Sequence, residues 1–210
     1  MRLPLLALAA AAVTTGEVCA QALHPAGSAA LVTARVRSQR PDYQFTGSAF
    51  LGQGTLTLGR LHLSASYLQG TLNRDGGATG STDLVEGTVL LGVRTLDWLT
   101  FEAGPHARAY TPTGSTQRWL FWELRARAAT PFVGSAARGY VELWRAVAAD
   151  ANVPEPFDHA QGGEVGMILR LARAPLSARV GYRIDHAVLG GGTRLETVDG
   201  VVIGVGLAWR

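Results

Sequence analysis

Apolar and polar residues alternate along most of this chain with a period of two. Between residues 177 and 186, Ala178, Val180, Tyr182 and Ile184 share one parity, and Arg179, Arg183 and Asp185 share the other. Successive strand side chains point to opposite faces, so this segment has one apolar surface and one ionic surface. The same alternation predicts ten strands, at about residues 29–37, 45–58, 61–72, 84–96, 99–110, 118–129, 138–149, 164–173, 177–186 and 201–209. In the first, Val32, Ala34 and Val36 oppose Thr33, Arg35 and Arg37; in the sixth, Leu120, Trp122, Leu124 and Ala126 oppose Glu123, Arg125 and Arg127. Two are less regular. The second contains Gly47, Gly52 and Gly54, which mark bulges or close backbone approach. The seventh puts Glu142 and Arg145 on opposite faces unless a bulge intervenes.

The connections alternate in length. Segments 59–60, 97–98, 131–137 and 174–175 are short, whereas 38–44, 73–83, 111–117, 150–163 and 189–200 are mostly longer and rich in Gly, Pro, Asp, Asn and Thr. Such alternation gathers the turns at one end and the loops at the other, as in an up-and-down meander; a Greek key would mix connection lengths. The fold class expected is therefore all-β, an antiparallel up-and-down transmembrane β-barrel of ten strands, with eight as the alternative count. Its apolar parity faces lipid and its ionic parity faces the lumen. A one-residue slip of the ninth strand would turn Arg179 and Arg183 into hydrocarbon, at roughly 2–4 kcal/mol each near the midplane. Trp98, Phe132, Tyr140 and Trp209 then fall toward the turn end, and Tyr43, Tyr110 and Trp119 toward the loop end, as two interfacial aromatic belts would.

The N-terminus fits export to a membrane. Met1-Arg2, the apolar run 3–13 and Ala20-Gln21-Ala22 have the form of a signal peptide cut before Leu23, leaving one barrel domain over 23–210. The lone Cys19 falls inside that leader, preceded by Glu17 and Val18, which disfavours lipidation and leaves the exported chain without thiol chemistry. Every basic side chain apart from histidine is arginine, and the net charge is +3. These arginines are spread singly along strands and form no patch, which argues against nucleic-acid binding.

On these features the chain resembles the small outer-membrane β-barrel proteins of diderm bacteria. The resemblance rests on pattern over the whole exported chain and on the terminal strand, whose Val201, Ile203, Val205, Leu207 and Trp209 share a face; Arg210 after the aromatic departs from the usual ending. It implies outer-membrane localisation, contact with outer-membrane lipids, recognition of the last strand by the barrel-assembly machinery, and a monomer. The predicted lumen set is Arg35, Arg37, Glu86, Arg94, Glu102, His106, Arg108, Glu123, Arg125, Arg127, Glu164, Arg170, Arg179, Arg183 and Asp185, with Glu142 beside them. Opposite charges there can pair across neighbouring strands, giving a mutually neutralised, mostly plugged core.

No catalytic constellation, metal site or cofactor motif emerges. Omptin proteases are also ten-stranded barrels, with paired aspartates and an Asp/His couple sharing a face. Here Asp185 and His186 are adjacent and diverge, and Val85 stands where a second aspartate beside Asp83 is expected. His62, Ser64 and Ser66 have same-face spacing, but as lumen lining near the short turns. The expected role is structural or surface-interacting, through the loops 73–83, 150–163 and 189–200. The alternatives are a small-solute pore of anion preference, an outer-membrane hydrolase, and a soluble periplasmic ligand-binding barrel.

Overall fold

The computed structural model describes residues 23–39, 42–76, 80–111, 115–133, 136–171 and 174–208. The leader expected at 1–22, with Cys19, and the terminal Trp209 and Arg210 lie outside these residues. Ten strands follow in chain order: β1 (Leu23–Gln39), β2 (Asp42–Leu58), β3 (Leu61–Arg74), β4 (Ser81–Leu96), β5 (Leu99–Tyr110), β6 (Gln117–Val133), β7 (Ala137–Ala151), β8 (Phe157–Arg170), β9 (Leu176–Leu189) and β10 (Arg194–Ala208). Each pairs antiparallel with its sequence neighbours, and β1 also pairs with β10, so the sheet closes into a barrel. Closure leaves no edge, which is how β-structure satisfies its backbone groups in a bilayer without water.

The register sets the barrel's shape. One hydrogen-bonded row runs through Arg35, Asp199, Ile184, Gly163, Leu143, Ala126, Phe101, Val93, Leu61 and Leu58, and returns to β1 at Leu23, twelve residues from its start. That stagger over ten strands tilts them by roughly 40° from the barrel axis. Side chains that meet across the lumen are therefore far apart in sequence and displaced in row.

Strands extend beyond the alternation that predicted them. β8 starts at Phe157 where about 164 was expected, and β10 at Arg194 where 201 was expected. Residues 40–41 alone join β1 to β2, while 171–175 join β8 to β9, so short and long connections do not strictly alternate. The ladder continues past the lipid-facing stretch because backbone groups pair whatever their side chains face. Gly190, Gly191 and Gly192 all have positive φ, which allows a tight turn into β10.

The exterior is apolar to a degree no wet surface supports. Leu31, Leu91, Leu143, Ile203 and Val205 are each more than 60% exposed, amid many other outward leucines and valines. On β10, Val201, Ile203, Val205 and Leu207 form four outward layers whose first and last are about 15 Å apart in height at this tilt, which is more than half of the roughly 25 Å apolar band of an outer-membrane barrel. This exterior overturns the soluble-barrel alternative.

The interior is more apolar than the ionic lining expected. Val32, Ala34, Val36, Phe45, Leu51, Leu68, Leu72 and Val202 pack inside. So the first strand has the opposite polarity to that predicted: its valines face in, and Arg35 and Arg37 share the outward face of Leu31. The closing register decides this, since Arg35 pairs with Asp199 and Leu31 with the exposed Ile203. The aromatic belts are also revised. Tyr43, Tyr110, Trp119 and Tyr140 are buried inside, and only Trp98 is exposed at a turn; the Phe132 side chain and Trp209 lie outside the described residues. Arg145 faces outward, because the β6–β7 register shift falls beyond it, where Trp122 pairs with Ala148 and Glu123 with Ala146.

Candidate functional site: the lumen

Alternation aims Glu86 of β4, His106 and Arg108 of β5, Glu123 and Arg125 of β6, Glu142 and Trp144 of β7, and Arg183 and Asp185 of β9 into one central layer. Arg108 donates from Nε to Glu86 Oε1 at 2.8 Å and from Nη2 to Asp185 Oδ2 at 2.6 Å. Arg183 donates to Glu86 Oε2 at 2.6 Å and from Nε to Asp185 Oδ2 at 3.0 Å. Two arginines and two carboxylates thus form a closed square, and Trp144 Nε1 donates to the remaining Asp185 oxygen at 2.8 Å. β4 and β9 are five strands apart in a ring of ten, so the Arg183–Glu86 bridge spans the full width of the lumen.

A second chain of charges follows the wall. His106 Nδ1 lies 2.8 Å from Glu123, whose other oxygen accepts from Arg125 at 2.7 Å. Arg125 and Arg127 both approach Glu142, at 3.5 and 3.3 Å. The His106 ring lies tilted by 34° against Phe121 at 4.3 Å between centroids, and Phe121 lies near-parallel to Trp144 at 5.6 Å. Apolar and ionic packing are continuous here.

Toward the loop end, Glu196 accepts from Tyr43 at 2.7 Å and also from Tyr110 and Arg194. Tyr110 on β5 faces Glu196 on β10 across five strands, a second crossing of the lumen. Arg194 also donates to Gln117 at 3.0 Å and to Glu155 at 3.1 Å. Toward the turn end, Arg179 bonds Glu164 and donates to Tyr140 at 2.8 Å, and it reaches Gln53 on β2. Ser64 donates to Glu102 at 2.8 Å, and His62 lies 3.5 Å from the same carboxylate.

Large inward side chains need clearance on the strands beside them, and glycines provide it: Gly162 of β8 pairs with both Trp144 and Asp185, and Gly181 lies on β9, two strands from Tyr140. A Cβ at Gly162 would stand 2.5 Å from Asp185 Oδ1 and 2.6 Å from Trp144 Nε1. One at Gly181 would stand 2.5 Å from the Tyr140 hydroxyl. Between Arg108, Phe121, Trp144 and Asp185 a cavity of about 10 Å³ remains, about the room of one water.

Of the predicted lumen residues, Glu86, Glu102, His106, Arg108, Glu123, Arg125, Arg127, Glu164, Arg179, Arg183 and Asp185 are brought together as described, and Arg94 and Arg170 share the inward parity toward the turn end. Arg35 and Arg37 do not join them, for the reason of register given above. Sequence reasoning missed Tyr43, Tyr110, Trp144, Arg194, Glu196 and Gln117. Arg194 and Glu196 share the parity of Val198 and Val202, a signal hidden by reading 189–200 as loop. No group of three metal-ligating side chains occurs among the described residues.

A closed antiparallel barrel, apolar outside and packed with paired charges inside, defines an outer-membrane β-barrel, and its exterior places it across that membrane. No family model matches the chain, and no curated protein does. Solved structures do. An outer membrane channel from Pseudomonas putida F1 aligns over 93% of this chain and 100% of its own, at 11% identity and TM-score 0.52. The β domain of a Bordetella autotransporter aligns over 90% and 100%, at 10% identity and TM-score 0.48. Neisserial surface protein A aligns over 88% and 97%, at 10% identity and TM-score 0.40. At such identities the likeness concerns the fold alone.

Proposed function

We propose that the protein is a non-conducting outer-membrane barrel, sealed by its own side chains, that acts structurally and through the surface at its loop end. The observation that carries this reading is the pair of bridges between opposite walls, Arg183–Glu86 and Tyr110–Glu196. A continuous water path would have to break them, and each is buried among further partners. An anion pore needs arginines free to meet passing ions. Arg108, Arg125, Arg127, Arg179 and Arg183 instead all have carboxylates within 3.5 Å. The barrel is monomeric in this reading, and β10 is the strand offered to the assembly machinery.

The reading is also non-enzymatic. His62 is engaged by Glu102 and Thr57 inside the lumen, Asp185 is saturated by arginines and Trp144, and His186 points outward. The test is planar-bilayer recording of the purified barrel. No stepwise current above the bare bilayer is expected, and a stable, reproducible unit conductance would overturn the sealed lumen.

A further inference from the structure

The two arginines that the register turns outward form a cluster that the lumen does not use. Arg35 and Arg37 lie on β1 beside Asp199 of β10, at 3.6 and 2.9 Å from its carboxylate. Tyr182 of β9 donates to the same group at 2.9 Å. The Asp199 side chain is 2% exposed, but those of Arg35 and Arg37 are 46% and 43% exposed. One covered carboxylate thus seats two exposed guanidiniums, leaving a net positive charge on the outer wall. Arg37 Nε is buried without a partner.

Position gives this charge its meaning. Thr33 and Leu31 are the next outward residues of β1 toward the turn end, paired with Val201 and Ile203. From there Leu31, Ile203, Val205 and Val180 form an exposed apolar path down the wall. On the other side stand polar outward groups, including His186, 3.3 Å from Thr197. The cluster therefore sits at the loop-end rim of the apolar band, where headgroups meet acyl chains. Charges facing lipid are costly at mid-depth and nearly neutral at that rim.

We propose that Arg35 and Arg37, held by Asp199 and Tyr182, bind the phosphate of a lipid headgroup whose acyl chains lie along Leu31, Ile203 and Val205. A planar guanidinium fork matches phosphate oxygens in pairs, and two forks anchored on one carboxylate are already oriented for it. A free anion would use the same forks but gain nothing from the apolar path below them.

The full barrel would be placed in phosphatidylcholine nanodiscs containing a minor fraction of phosphatidic acid, and retained lipid measured by native mass spectrometry. The unchanged protein is expected to retain phosphatidic acid about tenfold over the Arg35→Gln/Arg37→Gln variant. Arg118→Gln, altering an outward arginine on the opposite wall, should retain as much as the unchanged protein. The preference should survive excess inorganic phosphate. Equal retention by the double variant would overturn the proposal, as would loss of the preference to inorganic phosphate, which would mark a free-anion site. The heat-dependent gel shift reports folding of each variant. If the double variant fails it, Arg35→Gln alone carries the test, since Arg35 makes the looser contact with Asp199.

Discussion

Replacing Arg183 by Met tests the central square most directly. Glu86 and Asp185 would then share Arg108 as their only guanidinium, with His106 Nε2 3.8 Å from Glu86, so one carboxylate charge would lose its arginine in a layer where their exposures are 4% and 1%. Removing one partner of a buried ion pair costs about 3–5 kcal/mol, whereas replacing the whole pair by apolar groups is often near neutral. The Arg183→Met/Glu86→Gln double variant restores one positive to one negative charge in the square. It should therefore be less destabilised than the sum of its singles by about 1–3 kcal/mol. Reversible urea unfolding in lipid vesicles, followed by tryptophan fluorescence, measures all four corners of the cycle. The single variant should shift the folding constant by roughly two to four powers of ten. A single-variant effect below about 0.5 kcal/mol, or strict additivity, would refute the reasoning. Either result would mean that water screens the central charges, and the sealed lumen would fall with it.

Two further outcomes follow from the packing. Gly162→Ala puts a methyl group against Asp185 and Trp144 and should cost about 1–3 kcal/mol in the same unfolding assay. Gly54→Ala, with open space around its Cβ, should cost far less, and equal effects would show that wall clearance is not what selects glycine at 162. Ile203→Arg, in the middle of the outward layers of β10, should destabilise the barrel in vesicles by roughly 2–4 kcal/mol. A neutral result there would place the hydrocarbon elsewhere on the wall.

Much of the fold was legible because strand side chains alternate. From residues such as Val180, Arg183 and Asp185 the parity of β9 could be read, and with it the ionic character of one face. The central site was legible only as a list of inward charges. Its partners were not, because Arg183 meets Glu86 across five strands, and which rows coincide there depends on a stagger accumulated around the whole ring. Tyr43, Tyr110 and Tyr140 were assigned to belts because being near a strand end says nothing about which wall surface a ring occupies.

β1 separates the two kinds of information most clearly. By itself the sequence determined that Val32, Ala34 and Val36 share one face and that Arg35 and Arg37 share the other. It could not determine which face is the inside, since small apolar side chains suit lipid and a packed lumen equally well. Closure against β10 decided it, by pairing Arg35 with Asp199 and Leu31 with Ile203. The period of two is a local property of the strand, whereas inside and outside exist only once the sheet has joined its own first edge to its last.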